Sequence, residues 1–295
     1  MNDPNRGFLI HAYNNQEIDY GTMAICSALL IKKHLNINNV CLVTSEDTLR
    51  WITSVLGEKL INQAVDIIKV VNIDRNVESR TYFDTKYHSK IQPYYNTNRS
   101  DTLNLSPFEE TILLDADYLV LDNSLDLVWG NNEHILVNKS VRDLQHRKNI
   151  GGFDERFNEM SIPLYWATVV YFKKTVIVDS IFQLMKFIKD NYFYYQQLYK
   201  FSPSGYYRND YALSIAIHMI GAQIENEIVK SLPISDILVS TEHDDMINFN
   251  NGNAFFISER PDNDYALYKV LTNVHVMNKW SIGRNSSRII KYATG

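Results

Sequence analysis

Over the first 121 residues, apolar side chains gather in short uninterrupted runs, with longer stretches between them where apolar and polar positions alternate. Residues 7–12 form the first run and predict a buried strand, and the polar Tyr13-Asn14-Asn15 follows as a loop. Met23, Ile25, Leu29, Leu30 and Ile31 recur near the helical period and predict a helix over Tyr20–His34. Val40–Thr44 predicts a second strand, Ser45 the N-cap of a helix over Glu46–Leu56, and residues 65–71 a third strand. Strands joined by helices long enough to cross over describe a parallel, Rossmann-like sheet. Ligands of such sheets sit beyond the carboxyl ends of the strands, which is where Tyr13-Asn14 falls.

The pattern then weakens. Residues 74–105 are polar, with scattered aromatics and no clear period. Pro107-Phe108-Glu109-Glu110 leads into a fourth apolar strand, 111–114, which breaks at Asp115-Ala116-Asp117 and resumes over 118–121. Residues 163–172 predict another strand, and 176–193 and 208–220 predict two helices, the second with Asn209 or Asp210 near its start. The C-terminal third reads as irregular, ending in a basic tail of Lys279, Arg284, Arg288 and Lys291. No repeat or low-complexity linker divides the chain, so a single α/β domain is expected.

Composition narrows the partners. A net charge of −5 and a pI near 5.9 weigh against strong attraction of the whole molecule to a polyanion. Cys26 and Cys41 lie in apolar segments and read as reduced core residues. The N-terminus lacks a charged segment followed by a long apolar one, and no run approaches the ~20 apolar residues of a membrane span. A cytoplasmic protein with no membrane partner is the expectation.

The most informative chemistry is Ile112-Leu113-Leu114-Asp115-Ala116-Asp117, a core strand that delivers two carboxylates two residues apart. Strand period two places Asp115 and Asp117 on one side. Carboxylates this close repel unless a cation lies between them, and a hard divalent ion, Mn²⁺ or Mg²⁺, suits oxygen ligands that also bridge to phosphate. The competing reading makes Asp115 a turn cap and Asp117 a solvated side chain. His243-Asp244-Asp245 is a second acidic cluster, read as a solvated loop.

The stretch from Leu105 to Asp117 resembles the strand and Asp-x-Asp region of GT-A glycosyltransferases, closest to the glycogenin-like and galactosyltransferase-like retaining group. The resemblance implies a GT-A fold in which residues 1–121 bind a nucleotide-sugar, with UDP as the first choice of nucleotide, and 122–295 bind the acceptor. It implies Asp117 as the firmer metal ligand, Asp115 on the ribose or the metal, and Ala116 beside them along the donor. Val274-His275-Val276-Met277-Asn278-Lys279-Trp280 is similar to the family's C-terminal segment, which implies His275 as third metal ligand and Lys279 on the diphosphate. It departs from the family in lacking a glycine and in its short His-to-Lys spacing. Arg208-Asn209-Asp210-Tyr211 resembles the helix start that places an acid near the sugar, which implies a catalytic role for Asp210, with Trp166 and its strand lining the sugar pocket. Lys90 and Arg99 are the candidate basic residues on the donor, and Ala12, Tyr13 and Asn14 would cradle base and ribose.

Two of these stretches also resemble glycosyltransferase-like proteins of tailed phages. That implies one acceptor, a hydroxymethylated or otherwise modified cytosine in double-stranded DNA, for which the C-terminal basic stretch would supply a face. The other acceptor is a surface glycan or small molecule. A non-catalytic sugar-binding relative is the rival from a different class. A dinucleotide oxidoreductase would need Gly-x-Gly-x-x-Gly after the first strand, and a nucleotidyltransferase a glycine-rich loop; residues 11–18 contain no glycine.

Overall fold

In the computed structural model, residues 3–75, 77–148, 156–157, 161–201, 206–221 and 228–295 are described. The strands are β1 (Arg6–Ala12), β2 (Val40–Thr44), β3 (Ile67–Val70), β4 (Ser79–Asp84), β5 (His88–Pro93), β6 (Glu110–Asp115), β7 (Tyr118–Leu119) and β8 (Ile135–Asn138). They continue as β9 (Val141–Asp143), β10 (Trp166–Lys173), β11 (Val229–Ser231), β12 (Ile237–Ser240), β13 (Asp245–Asn250), β14 (Asn253–Glu259), β15 (Tyr265–Val270) and β16 (Val274–Val276). The helices are α1 (Tyr20–His34), α2 (Glu46–Leu56), α3 (Glu58–Ala64), α4 (Thr102–Leu105), α5 (Val176–Asp190), α6 (Tyr192–Tyr199), α7 (Asn209–Gly221) and α8 (Lys279–Thr294).

A seven-stranded sheet in the order β11-β8-β10-β6-β1-β2-β3 forms the centre. All neighbours pair in parallel except β10, which runs antiparallel between β6 and β8. The expected mixed α/β architecture with a mostly parallel sheet flanked by helices is present. Its first helices begin as their sequences require. Asp19 accepts from Thr22 N–H at 2.9 Å to cap α1, and Ser45 accepts from Thr48 N–H at 3.3 Å to cap α2.

Side-chain alternation along the central strands divides the interior in two. Phe8, Ile10, Ile112 and Leu114 face the core that contains α1 and α8; Leu9, Leu113 and Val170 face the core that contains α5 and α7. His11 and Asp115 follow Leu9 and Leu113 at the same period, and they are register partners at the ends of β1 and β6.

Two segments depart from the sequence reading. Residues 74–105 contain the β4–β5 hairpin, whose turn places Thr85 at φ +63° with no glycine, followed by a short helical segment and α4. The described residues of the C-terminal third from 228 onward form regular elements where an irregular segment was expected. β13, β14 and β15 form an antiparallel sheet whose first turn, Asn251-Gly252, has positive φ at both residues, as a two-residue hairpin loop demands. The basic tail is helix α8, with Ile282 and Ile289 in the core against α1. Its charges are partly spent. Arg284 donates to Asp84 at 2.7 and 2.8 Å and to Asp245 at 2.7 Å, and Lys279 pairs with Asp117. Cys26 and Cys41 are buried and free, and no helix among the described residues is long and apolar enough to cross a membrane.

Candidate active site

The site is built where β6 ends. Strand geometry stops at Asp115, and Ala116-Asp117 form a turn before β7. The two acids therefore converge through a turn, not through the period-two alternation of one strand. β7 then pairs antiparallel with β16, placing His275 opposite Tyr118, and Val276 N–H donates to the Asp117 carbonyl at 2.9 Å. This short ladder brings a histidine from the C-terminal part of the chain onto the Asp-x-Asp turn.

Asn278 caps α8 by accepting from Ser281 N–H at 3.2 Å, and its amide donates to Asp84 and to the Asp244 carbonyl, each at 3.1 Å. The N-terminus of α8 is thereby fixed beside Asp117, with Lys279 at its first position and in an ion pair with that carboxylate. Both the ammonium and the helix end favour negative charge here. Burial works against the charge of Asp117, but Lys279 and His275 outweigh it and hold the carboxyl well below the usual range.

Each of the two acids has one oxygen committed to a lysine or arginine and turns the other toward His275. Asp115 Oδ1 pairs with Arg99 and Asp117 Oδ2 with Lys279. The opposite oxygens face His275 Nε2, at 3.7 Å from Asp115 and 3.3 Å from Asp117. His275 Nδ1 lies 3.4 Å from Thr168 Oγ1, which leaves Nε2 for the acids. Ligands bound to a small divalent cation at about 2.1 Å sit roughly 3 Å apart at right angles, so this donor set fits such an ion. Among the described residues, Asp115, Asp117 and His275 are the group of His, Cys, Asp or Glu close enough to hold a metal, their ligand atoms lying within 4.8 Å of one another. His243-Asp244-Asp245 is not the solvated loop expected. Asp244 is buried and accepts from Thr241 N–H at 2.6 Å, and Asp245 is tied to Arg284.

β10 supplies the opposite wall. Its pairing with β8 shifts register between Trp166 and Val170, and its pairing with β6 begins only at Val169. Residues 167 and 168 thus pair with neither neighbouring strand and turn their groups to the site. Ala167 N–H donates to Asp210 Oδ1 at 2.8 Å, and Ala167 C=O accepts from Arg99 at 2.7 Å. Asp210 Oδ2 accepts from Arg208 at 3.1 Å. Asp210 thus reaches across to β10 and does not cap its helix. Burial opposes its charge, yet Arg208, the Ala167 N–H and Arg99 keep the carboxyl below its usual value.

A cleft of about 600 Å³ opens over these groups. Of the residues expected on a donor, Tyr13, Arg99, Asp115, Ala116, Trp166 and Lys279 line it, with Asp117, Asp210 and His275. Ala12, Asn14 and Lys90 do not. The Ala12 carbonyl accepts from Thr44 at 2.7 Å, and Asn14 clamps the start of α1 by bonding Asp19 at 2.9 Å and Gly21 N–H at 2.7 Å. Lys90 lies outside, paired with Glu17 at 2.6 Å. Beneath the cleft, His11 bridges Tyr13 at 3.1 Å and Thr102 at 2.9 Å, and burial together with Arg99 pushes it down to about 3, so it is neutral.

Thr168 lines the cleft with Trp166, on the strand expected along the sugar pocket, but the sequence reading missed several lining residues: Arg208, Asn209, Glu242, and the pair in which the Arg80 guanidinium lies 3.3 Å over the Tyr94 ring. Arg208 and Asn209 adjoin Asp210 and were in view. The others sit in segments without periodicity.

No protein-family model matches the sequence, and no curated protein does. Among solved structures, the chain is similar to the glycosyltransferase GlyE of Streptococcus pneumoniae TIGR4 at 11% identity and a TM-score of 0.42, covering 78% of this chain and 46% of GlyE. It thus spans less than half of GlyE. The galactosyltransferase LgtC, solved with donor and acceptor sugar analogues, gives 14% identity and 0.42, with 70% of this chain and 69% of LgtC covered. A putative glucose-1-phosphate thymidylyltransferase from Bacillus anthracis gives 10% and 0.41, covering 78% and 87%. Overlaps this loose carry no activity to the chain.

Proposed function

We propose that this protein is a divalent-metal-dependent glycosyltransferase of the GT-A type that uses a nucleotide-sugar, UDP-linked as the first choice. The observation that carries the reading is the convergence of Asp115 Oδ2, Asp117 Oδ1 and His275 Nε2 beside Lys279 in one cleft. These three residues would hold Mn²⁺ or Mg²⁺, and the ion supplies charge neutralisation on a diphosphate leaving group. The chain's own residues do the rest. Lys279, at the N-terminus of α8, adds positive charge where the leaving group gains negative charge. Arg99 holds Asp115 in its ligating orientation. Asp210 is ionised at neutral pH with both oxygens engaged, which suits orienting sugar hydroxyls rather than attacking carbon. Tyr13 and Trp166 would flank the donor. Retention of anomeric configuration follows from the resemblance to retaining enzymes, and NMR of the product checks it.

A neutral, hydroxyl-bearing acceptor, a glycan or small molecule, is favoured over duplex DNA. DNA binding needs basic side chains free to meet phosphates, and in α8 Lys279 and Arg284 are held by Asp117, Asp84 and Asp245. The test is nucleotide release from a panel of nucleotide-sugars, with Mn²⁺ or with chelator, by wild type and by Asp117→Ala. Metal-dependent release that the variant loses supports the proposal. Release that ignores metal and variant alike refutes it, and no release with any donor refutes it and leaves the non-catalytic alternative.

A further inference from the structure

Four carboxylates line the cleft, and three are paired: Asp115 with Arg99, Asp117 with Lys279 and Asp210 with Arg208. The fourth is Glu242, in the turn between β12 and β13. Among the described residues its side chain makes no hydrogen bond and no ion pair. It is half-buried, and burial raises its pKa although Lys279, His243, Arg208 and Arg80 lie near enough to pull it down. Three of them are committed elsewhere: Lys279 and Arg208 to aspartates, and Arg80 to Glu78 at 3.1 Å.

An acid left unpaired in a cleft is a hydrogen-bond acceptor waiting for a donor. A phosphate or other anion is excluded as its partner by charge. Beside it stand tyrosines: Tyr82, close enough to feel its charge, and Tyr20, Tyr94 and Tyr206 along the same cleft. Aromatic faces stack on the C–H faces of a pyranose, and a carboxylate binds its hydroxyls. A few placed polar groups on an aromatic wall are how small polar ligands are oriented.

We infer that Glu242 marks the acceptor subsite of this tyrosine-lined cleft, that the acceptor is an uncharged saccharide, and that Glu242 accepts a hydrogen bond from its hydroxyl. This rests on the glycosyltransferase reading and adds the acceptor's class and contact residue to it. Glu242→Gln keeps size and removes the charge; Glu242→Asp keeps the charge and shortens the reach.

The experiment measures three quantities for wild type and both variants: Mn²⁺-dependent nucleotide-sugar binding, hydrolysis of the bound donor by water, and transfer to p-nitrophenyl α- and β-hexosides. With Glu242→Gln, binding and hydrolysis should match wild type. Transfer efficiency should fall about 10- to 100-fold, the loss of one charge-assisted hydrogen bond, mainly through a raised acceptor KM. Glu242→Asp should fall between. Transfer unchanged in Glu242→Gln overturns the inference, as does an equal loss of donor binding. So does a wild type that binds donor but glycosylates no hexoside, or that modifies duplex DNA instead. A wild type that binds no nucleotide-sugar refutes the glycosyltransferase reading itself and this inference with it.

Discussion

Asp210→Asn isolates the link between β10 and α7. The wild-type carboxylate accepts from Ala167 N–H at 2.8 Å and from Arg208 at 3.1 Å. The amide keeps the first bond through its oxygen. Its nitrogen then faces the Arg208 guanidinium, donor against donor, and the guanidinium loses its counter-ion. Breaking a fully buried pair by removing one partner costs about 3–5 kcal/mol. Here the Arg208 and Asp210 side chains keep 31% and 20% of their exposure, so solvent screening reduces the expected loss to about 1–3 kcal/mol. Urea unfolding followed by tryptophan fluorescence reads it. Because folding lowers the Asp210 pKa from 3.8, its contribution is complete above that value and fades as pH falls through the folded-state value. The deficit of Asp210→Asn relative to wild type should therefore be full near neutral pH and shrink on acidification below 3.8. Equal stability of the two proteins at neutral pH, or a deficit that grows in acid, would refute the reasoning.

Thr168→Val removes the group facing His275 Nδ1 and should weaken Mn²⁺ binding about 10-fold or more, with Thr168→Ser recovering most of it in a calorimetric titration. Gly7→Ala should destabilise the fold by about 1–3 kcal/mol in thermal unfolding, because an added Cβ would sit 2.4 Å from Phe108 and 2.8 Å from the Asn39 carbonyl. Lys90→Ala should leave nucleotide-sugar affinity unchanged, since Lys90 pairs with Glu17 outside the cleft.

The centre of the parallel sheet was legible because its strands and their helices carry local signals. The apolar runs of β1, β2 and β6 lie buried in the middle of the sheet, and Asp19 and Ser45 mark their helix starts. β4 and β5 were illegible because only one residue in each strand is buried and their turn uses Thr85 in place of a glycine. For β13 and β14 a signal was present, Asn251-Gly252 followed by β14, in which every second residue is buried; the irregularity in β13 between Met246 and Asn248 breaks that alternation before the turn. Asp115 and Asp117 announce themselves at a strand end. Glu242 and Arg80 acquire meaning only through tertiary placement, one in the turn between β12 and β13 and the other on a hairpin that no local pattern encodes.

The most direct test of the account is calorimetric titration of UDP into wild type, Asp117→Asn and His275→Ala, each with Mn²⁺ and with chelator. The account predicts binding by wild type only with Mn²⁺, and its loss or severe weakening in both variants. Equal binding of UDP with and without metal, or variants that bind as wild type does, would contradict it.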